Sequence, residues 1–164
     1  MEHRLELDGW KSAIRFSACH MLLRHDKCSR LHGHSYCIHL KVHGTIDENN
    51  MVVDFGRIKD CLRNFAKDLD HMTLVPTKND DIKIIEDERE AAVMVDMCGK
   101  RYTFPLGDVK FLPIPTTTVE EMSKYLLGRL LDEFDFPSTI TRVELGMDEG
   151  MGQGAWASVN LGGE

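Results

Sequence analysis

The chain has 164 residues, a length typical of one domain, of which 42% are hydrophobic and 29% charged. Its formal net charge of −7 argues against a nucleic-acid partner, because such proteins usually carry a basic excess. The longest apolar runs, such as residues 91–95, are far shorter than the roughly 20 residues of a membrane span. The N-terminal residues lack an apolar secretory segment, and the five cysteines are an odd number, so we expect free thiols and a cytoplasmic protein.

Two strands and a helix are predicted for the first part of the chain. Residues 11–22 alternate loosely and residues 35–44 clearly between apolar and polar side chains, which is typical of half-buried antiparallel strands. The charged residues 23–31 form the loop between them. Residues 51–53 predict a brief strand, after which Asp54 can cap a helix that runs to about Lys67.

The central part of the chain predicts a small β-excursion, an inserted segment at residues 78–112. Its β-rich pieces are residues 82–86, 91–97 and 101–104. Thr118 then begins a second helix, since Glu121 three residues later completes a capping box.

A final hairpin is predicted from residues 140–147 and 155–161, separated by a glycine-rich turn. The order of elements indicates a single α+β domain over residues 1–164. Its antiparallel four-stranded sheet carries two helices on one face, and the β-excursion is added to it. Such a sheet leaves edges exposed, so we expect assembly through them.

Three histidines form a candidate metal site. His32 and His34 are two residues apart on a strand and therefore project to one side, while Gly33 leaves the other side uncrowded. His20 ends the preceding strand, and antiparallel pairing can place it opposite them. Three neutral imidazoles with an open fourth position are typical of a catalytic zinc site, although iron, nickel and copper also accept this ligand set.

The remaining histidines in strands and loops (His3, His25, His39 and His43) are interpreted as surface or core residues. Cys28 lies in the charged loop, where neighbouring cations favour a reactive thiolate, so it is a candidate nucleophile or base. It can instead close a structural site with the three histidines. The pair Asp70 and His71 can act as an acid/base unit, although this dipeptide is a weak signal.

Together these segments resemble the family of 6-pyruvoyltetrahydropterin and 6-carboxytetrahydropterin synthases. The matching segments are residues 16–20, 28–36, 51–55, 69–71 and 118–120, with Glu149 ahead of the last strand. The most specific element is Cys-x-x-x-His-Gly-His with Phe-Ser-Ala-x-His upstream. The resemblance implies the tunnelling fold, in which subunits assemble into barrels. It therefore implies a homo-oligomer, with a hexamer favoured.

This resemblance also implies roles for individual residues. The three histidines would hold Zn²⁺, Cys28 would abstract a proton, and Asp70 with His71 would form a second acid/base unit. Glu149 would anchor the pterin ring by accepting a pair of N–H bonds, with Glu144 and Asp148 as alternatives. Thr118 and Glu120 would line the same pocket.

The three-residue interval between Cys28 and His32 resembles the 6-carboxytetrahydropterin synthases of 7-deazaguanine (queuosine and archaeosine) biosynthesis. The implied reaction converts 7,8-dihydroneopterin triphosphate to 6-carboxytetrahydropterin, acetaldehyde and triphosphate. A 6-pyruvoyltetrahydropterin synthase is the first alternative. A zinc hydrolase and a non-catalytic zinc protein with a closed site at Cys28 are the others.

Overall fold

Ten strands and two α-helices follow one another in the computed structural model, which describes residues 1–161. In chain order they are β1 (His3–Leu7), β2 (Arg15–His20), β3 (His32–Gly44), α1 (Phe55–Leu69), β4 (Met72–Pro76), β5 (Lys83–Asp87), β6 (Ala92–Met97), β7 (Lys100–Pro105), β8 (Val109–Leu112), α2 (Val119–Glu133), β9 (Ile140–Glu149) and β10 (Gly154–Asn160). A short 3₁₀ turn, Leu106–Asp108, separates β7 from β8. The predicted domain ended at residue 164, and residues 162–164 lie outside the described range.

The main sheet has seven strands in the order β10-β9-β3-β2-β4-β8, and β1 pairs with the far end of the long strand β3. Strands β10, β9, β3, β2 and β1 pair antiparallel. The pairs β2–β4 and β4–β8 are parallel. The centre of the sheet is therefore β3, whose first residues carry His32 and His34 and whose neighbour β2 ends at His20.

Both helices pack on one face of this sheet and share its core. That face presents every second residue of β3, including Ile38, Leu40 and Val42, all with no exposed surface. Helix α1 contributes Ile58, Leu62 and Phe65, and α2 contributes Met122, Leu126 and Leu130. Within residues 1–161, neither helix has the length and apolarity that a bilayer-spanning segment requires.

A second, smaller core joins the β-excursion to the edge of the main sheet. Strands β5, β6 and β7 form an antiparallel sheet, and its buried residues Val93, Val95 and Met97 pack against Val75 of β4 and Val109 of β8. Both faces of β4 are thus covered, because Leu74 belongs to the helix-side core. The excursion is shorter than the predicted 78–112, since β8 returns to the main sheet.

The α+β class and the placement of both helices on one face are confirmed, but the predicted count of four antiparallel strands is too low. The missed strands β1, β4 and β8 have only four or five residues each. Strand β4 also lacks polar alternation because it is buried on both faces, as parallel strands commonly are.

The strand predicted at residues 51–53 is absent, and the segment is a bend that leads into α1. Asp47 holds it, since its Oδ1 accepts hydrogen bonds from the N–H groups of Asn49 and Met51 at 2.8 and 3.0 Å. Val52 and Val53 are still buried in the main core. The apolar residues 51–53 therefore indicated burial in the core and not a paired strand.

Candidate metal centre

Antiparallel pairing of β2 with β3 brings the three histidines together. His20 lies directly opposite His32, and Ala18 lies opposite His34. Residues that face one another across a pair project to the same side, so the three imidazoles share the helix-covered face. Their ring centroids are 4.7, 4.9 and 5.2 Å apart, and one ligand nitrogen from each ring lies within 4.8 Å of the other two.

Gly33, between His32 and His34, lies close to the neighbouring strand. A Cβ at this position would lie 3.1 Å from the Ala18 carbonyl oxygen, so the close approach of the strands favours glycine there.

The donor set fits a metal ion, because each ring keeps one nitrogen unused. The Nε2 atoms of His20, His32 and His34 are all buried and have no hydrogen-bond partner within residues 1–161. Burial, together with the neighbouring His32, lowers the pKa of His20 to about 4. Burial likewise lowers the pKa of His34, although Glu149 opposes the shift. Both rings are therefore neutral at pH 7, the form that binds a metal.

Backbone and side-chain oxygens orient two of the rings. His20 Nδ1 lies 3.0 Å from the Thr117 carbonyl oxygen and 3.1 Å from its hydroxyl. His32 Nδ1 lies 2.7 Å from the Arg30 carbonyl oxygen. A proton on Nδ1 donates to these acceptors and leaves the Nε2 lone pair for the metal, an arrangement common among histidine ligands.

Thr117 has no exposed surface and was not predicted as a site residue. Its position just before a predicted helix cap was the only sequence signal.

Among the three candidate carboxylates, Glu149 alone lies beside the histidines. It faces Tyr36 across β9 and β3, and its Oε1 lies 3.0 Å from His34 Nε2 without hydrogen-bond alignment. Its Oε2 lies 4.0 Å from His20 Nε2. Glu144 and Asp148 belong to the opposite face of the sheet, where they contact His43 at 2.8 Å and His39 at 3.1 Å. Alternate residues of a strand point to opposite faces, so the pairing of β9 separates Glu149 from Glu144 and Asp148, which the sequence could not do.

Tyr36 completes the aromatic wall of this site. Its ring lies 5.9 Å from His20 and 5.6 Å from His34, and it stacks on Phe16 at 5.1 Å. The hydroxyl is buried and has no hydrogen-bond partner in the described chain. Burial raises the pKa of Tyr36, and the charge of Glu149 raises it further, so the phenol stays protonated.

Cys28 lies in a folded loop between β2 and β3. Its carbonyl accepts the Leu22 N–H at 2.8 Å, and its own N–H donates to His25 Nδ1 at 3.0 Å. His25 therefore stabilises the loop that carries the cysteine. The β-excursion also contacts this loop, because the Cys98 thiol lies 3.7 Å from the Leu22 carbonyl oxygen and Arg24 pairs with Asp81 at 2.8 Å.

Asp70 and His71 form a contact pair at the end of α1. Asp70 Oδ2 lies 2.8 Å from His71 Nδ1, and Oδ1 accepts the Ser17 N–H, which lowers the pKa of Asp70. His71 has a positive φ of 61° and an exposed side chain. It lines a surface cavity with Ser17, Cys19 and Ser35, and His34 also borders this cavity. Ser17, Cys19 and Ser35 belong to the strand face opposite to the imidazoles.

Thr118 and Glu120 lie where α2 begins. The Thr118 hydroxyl accepts the Glu121 N–H at 3.5 Å and so caps the helix. Glu120 is exposed in the first turn. Their neighbour Thr117, rather than either of them, contacts a metal-site histidine.

Comparison with known proteins places this geometry in a family. The 6-pyruvoyl tetrahydropterin synthase family matches residues 10–159. A Methanocaldococcus jannaschii protein named "Putative 6-carboxy-5,6,7,8-tetrahydropterin synthase" is 32% identical over 154 residues, which cover 92% of this chain and 93% of that protein. The 6-carboxy-5,6,7,8-tetrahydropterin synthase of Haemophilus influenzae is 26% identical over 121 residues, covering 70% and 76%.

The solved structure of Plasmodium vivax 6-pyruvoyltetrahydropterin synthase superposes with a TM-score of 0.89 at 26% identity, covering 98% of this chain and 99% of that one. This similarity confirms the tunnelling fold that the sequence motifs implied. The same protein has also been solved as a glutamate-to-cysteine catalytic residue mutant, again with a TM-score of 0.89. Because the family match spans almost the whole chain, this protein belongs to the 6-pyruvoyl tetrahydropterin synthase family.

Proposed function

We propose that this protein is a zinc-dependent 6-carboxy-5,6,7,8-tetrahydropterin synthase that acts on 7,8-dihydroneopterin triphosphate in 7-deazaguanine biosynthesis. The observation that carries the proposal is the convergence, beside the Glu149 carboxylate, of three Nε2 atoms that have no hydrogen-bond partner within residues 1–161. Relatives from an archaeon and a bacterium carry the 6-carboxy name. The five cysteines are free thiols, as a reducing cytoplasm would maintain, and we propose that compartment.

His20, His32 and His34 would hold the zinc ion, which polarises substrate oxygens and acidifies the adjacent C–H bonds when bound. Glu149 would accept two N–H bonds from the pterin edge, since it faces the histidines from the next strand. Cys28 would take a proton from the substrate side chain. Thr118 and Glu120 would act at the mouth of the same pocket.

Asp70 and His71 would supply the second acid/base unit to the site of a neighbouring subunit. His71, which Asp70 contacts, lines a cavity that reaches Ser17, Cys19 and Ser35 of the opposite sheet face and is also bordered by His34. A homo-oligomer, with a hexamer favoured, would bring the two faces together. Strands β10 and β8 lie at the two ends of the main sheet and offer edges for such assembly.

The direct test is to incubate the zinc-loaded protein with 7,8-dihydroneopterin triphosphate and to identify the products by mass spectrometry. We expect 6-carboxytetrahydropterin, acetaldehyde and triphosphate, and loss of these products in Cys28→Ala. Cys61→Ala is the matched control, because it removes a thiol from helix α1 rather than from the loop. A pyruvoyl pterin would identify the alternative synthase activity, and an untouched substrate would contradict the proposal.

Mixing two inactive variants tests the sharing of sites between subunits. If Cys28 and His71 act in one site from different subunits, Cys28→Ala and His71→Ala should regain part of the activity after unfolding and refolding together. Each variant refolded alone should stay inactive. If the mixture assembles normally but regains no activity, the two residues do not act in one site from different subunits.

The closed structural site remains the alternative of another class. It predicts that Cys28→Ala lowers zinc affinity strongly and that chelation unfolds the protein. An open catalytic site predicts a folded metal-free chain, because the main core is built from apolar residues of the sheet and both helices and does not include the histidines. Circular dichroism before and after chelation separates the two.

A further inference from the structure

The Tyr36 hydroxyl is a buried donor for which the described chain provides no acceptor. Tyr36 has no exposed surface and follows His34 by two residues on β3. Its ring has a clear packing role between Phe16 and the two histidines, but a phenylalanine would fill that role equally well. An unsatisfied buried hydroxyl destabilises a folded protein, so its presence calls for a partner in another state of the site.

Glu149 is the carboxylate directly opposite Tyr36 on the neighbouring strand. The two are direct partners across β3 and β9, and side chains in such a pair start about 5 Å apart on one face. Both lean toward the imidazoles, since Tyr36 contacts the His20 and His34 rings and Glu149 Oε1 lies 3.0 Å from His34 Nε2. The hydroxyl and the carboxylate therefore converge on the same pair of rings.

We propose that the Tyr36 hydroxyl donates a hydrogen bond to the Glu149 carboxylate once a metal ion takes the Nε2 atom that this carboxylate faces. A metal ion on the His34 Nε2 lone pair means that this nitrogen cannot carry a proton for the adjacent Glu149 carboxylate. The carboxylate then needs another donor, and Tyr36 is the residue opposite to it. Tyr36 is thus a positioning residue that acts through Glu149. The inference rests on the metal site of the proposed function but not on the pterin reaction.

Zinc affinity measured with a chromophoric chelator tests this inference on Tyr36→Phe, Glu149→Gln and the double variant. Tyr36→Phe should weaken zinc binding by about ten-fold, as loss of a supporting hydrogen bond around a metal site commonly does. The metal-free thermal midpoint should be equal to that of the parent protein or higher, because the ring remains and an unsatisfied hydroxyl is removed. Tyr102→Phe is the matched control: it removes a hydroxyl from the excursion and should change neither quantity.

The double variant decides whether Tyr36 acts through Glu149. Tyr36→Phe should cause little further loss of zinc affinity in the Glu149→Gln background, because coupled residues give non-additive effects. Full additivity, or an unchanged affinity in Tyr36→Phe, would overturn the inference and leave the proposed function intact. A lowered metal-free midpoint with unchanged affinity would make Tyr36 a packing residue only. Failure of the parent protein to bind zinc would overturn both the metal site and this inference.

Discussion

His20 shows how single atoms prepare this site. The residue is fully buried, its Nδ1 lies near two oxygens of Thr117, and its Nε2 has no partner within residues 1–161. A neutral imidazole with one nitrogen held and the other unused is a preorganised ligand. Burial of the unpartnered Nε2 destabilises the metal-free fold, and a metal ion bound to this nitrogen would offset that cost.

Thr117→Val should weaken zinc binding by about ten-fold, because it removes the hydroxyl that lies 3.1 Å from His20 Nδ1 while keeping the side-chain shape. A chelator competition measures the affinity. Thr116→Val, at the neighbouring position, should leave it unchanged. Equal affinity in both variants would show that the Thr117 carbonyl alone orients the ring.

The metal-free protein should lose stability as the pH falls from 6.5 to about 4. The unfolded chain binds a proton at His20 near its ordinary pKa of 6.5, whereas burial lowers the pKa in the folded state to about 4. Above pH 6.5 both states are neutral at this residue, so its contribution is constant there. Across the window the loss is on the order of 3 kcal/mol.

Urea unfolding of metal-free protein at several pH values measures this effect. His20→Gln should show a smaller loss across the same window, since glutamine does not titrate. His3→Gln, an exposed histidine substitution in β1, should follow the parent curve. If the free energy of unfolding falls equally with pH in all three proteins, His20 is not the source of the loss.

At the scale of elements, local rules account for the helices and long strands. Asp54 caps α1 by accepting the Gly56 and Arg57 N–H groups at 2.7 and 3.1 Å, and Thr118 caps α2, both as predicted. The short strands β4 and β8 escape such rules. Their few residues show no clear polar alternation, because each strand packs one face on the main core and the other face on the smaller core.

Asp54→Ala should destabilise the protein by about 1 kcal/mol, because two N–H groups in the first turn of α1 lose their acceptor. Denaturant unfolding measures the difference in free energy. Asp60→Ala, an exposed change within the same helix, is the control and should have a smaller effect. A larger loss at Asp60 than at Asp54 would contradict the capping role.

At the scale of the whole molecule, two cores are joined through β4. Leu74 packs with the helices, whereas Val75 packs with the β-excursion. The excursion also contacts the Cys28 loop through Cys98 and Asp81. The insertion is therefore part of the scaffold that holds the loop.

Val95→Ala, deep in the excursion, should destabilise the whole protein by about 2 kcal/mol. Trp10 and Trp156 both belong to the main sheet region, so their fluorescence reports on the main core. The tryptophan-monitored transition should shift to lower denaturant concentration, with Lys83→Ala, an exposed excursion change, as control. An unchanged tryptophan transition would show that the excursion unfolds independently.

The sequence by itself determined the family motifs, the two helices with their caps and the three histidines as one candidate group. These features depend on residue type and short spacing, which the chain order preserves. Only the tertiary structure decided the seven-strand sheet, the contact of Thr117 with His20, the placement of Glu149 beside the histidines and the placement of His71 beside Ser17 and Ser35. Each of these depends on which strands pair and which face a residue takes, and a shift of one residue reverses that face. Contacts between segments far apart in the chain leave no local pattern from which they could have been predicted.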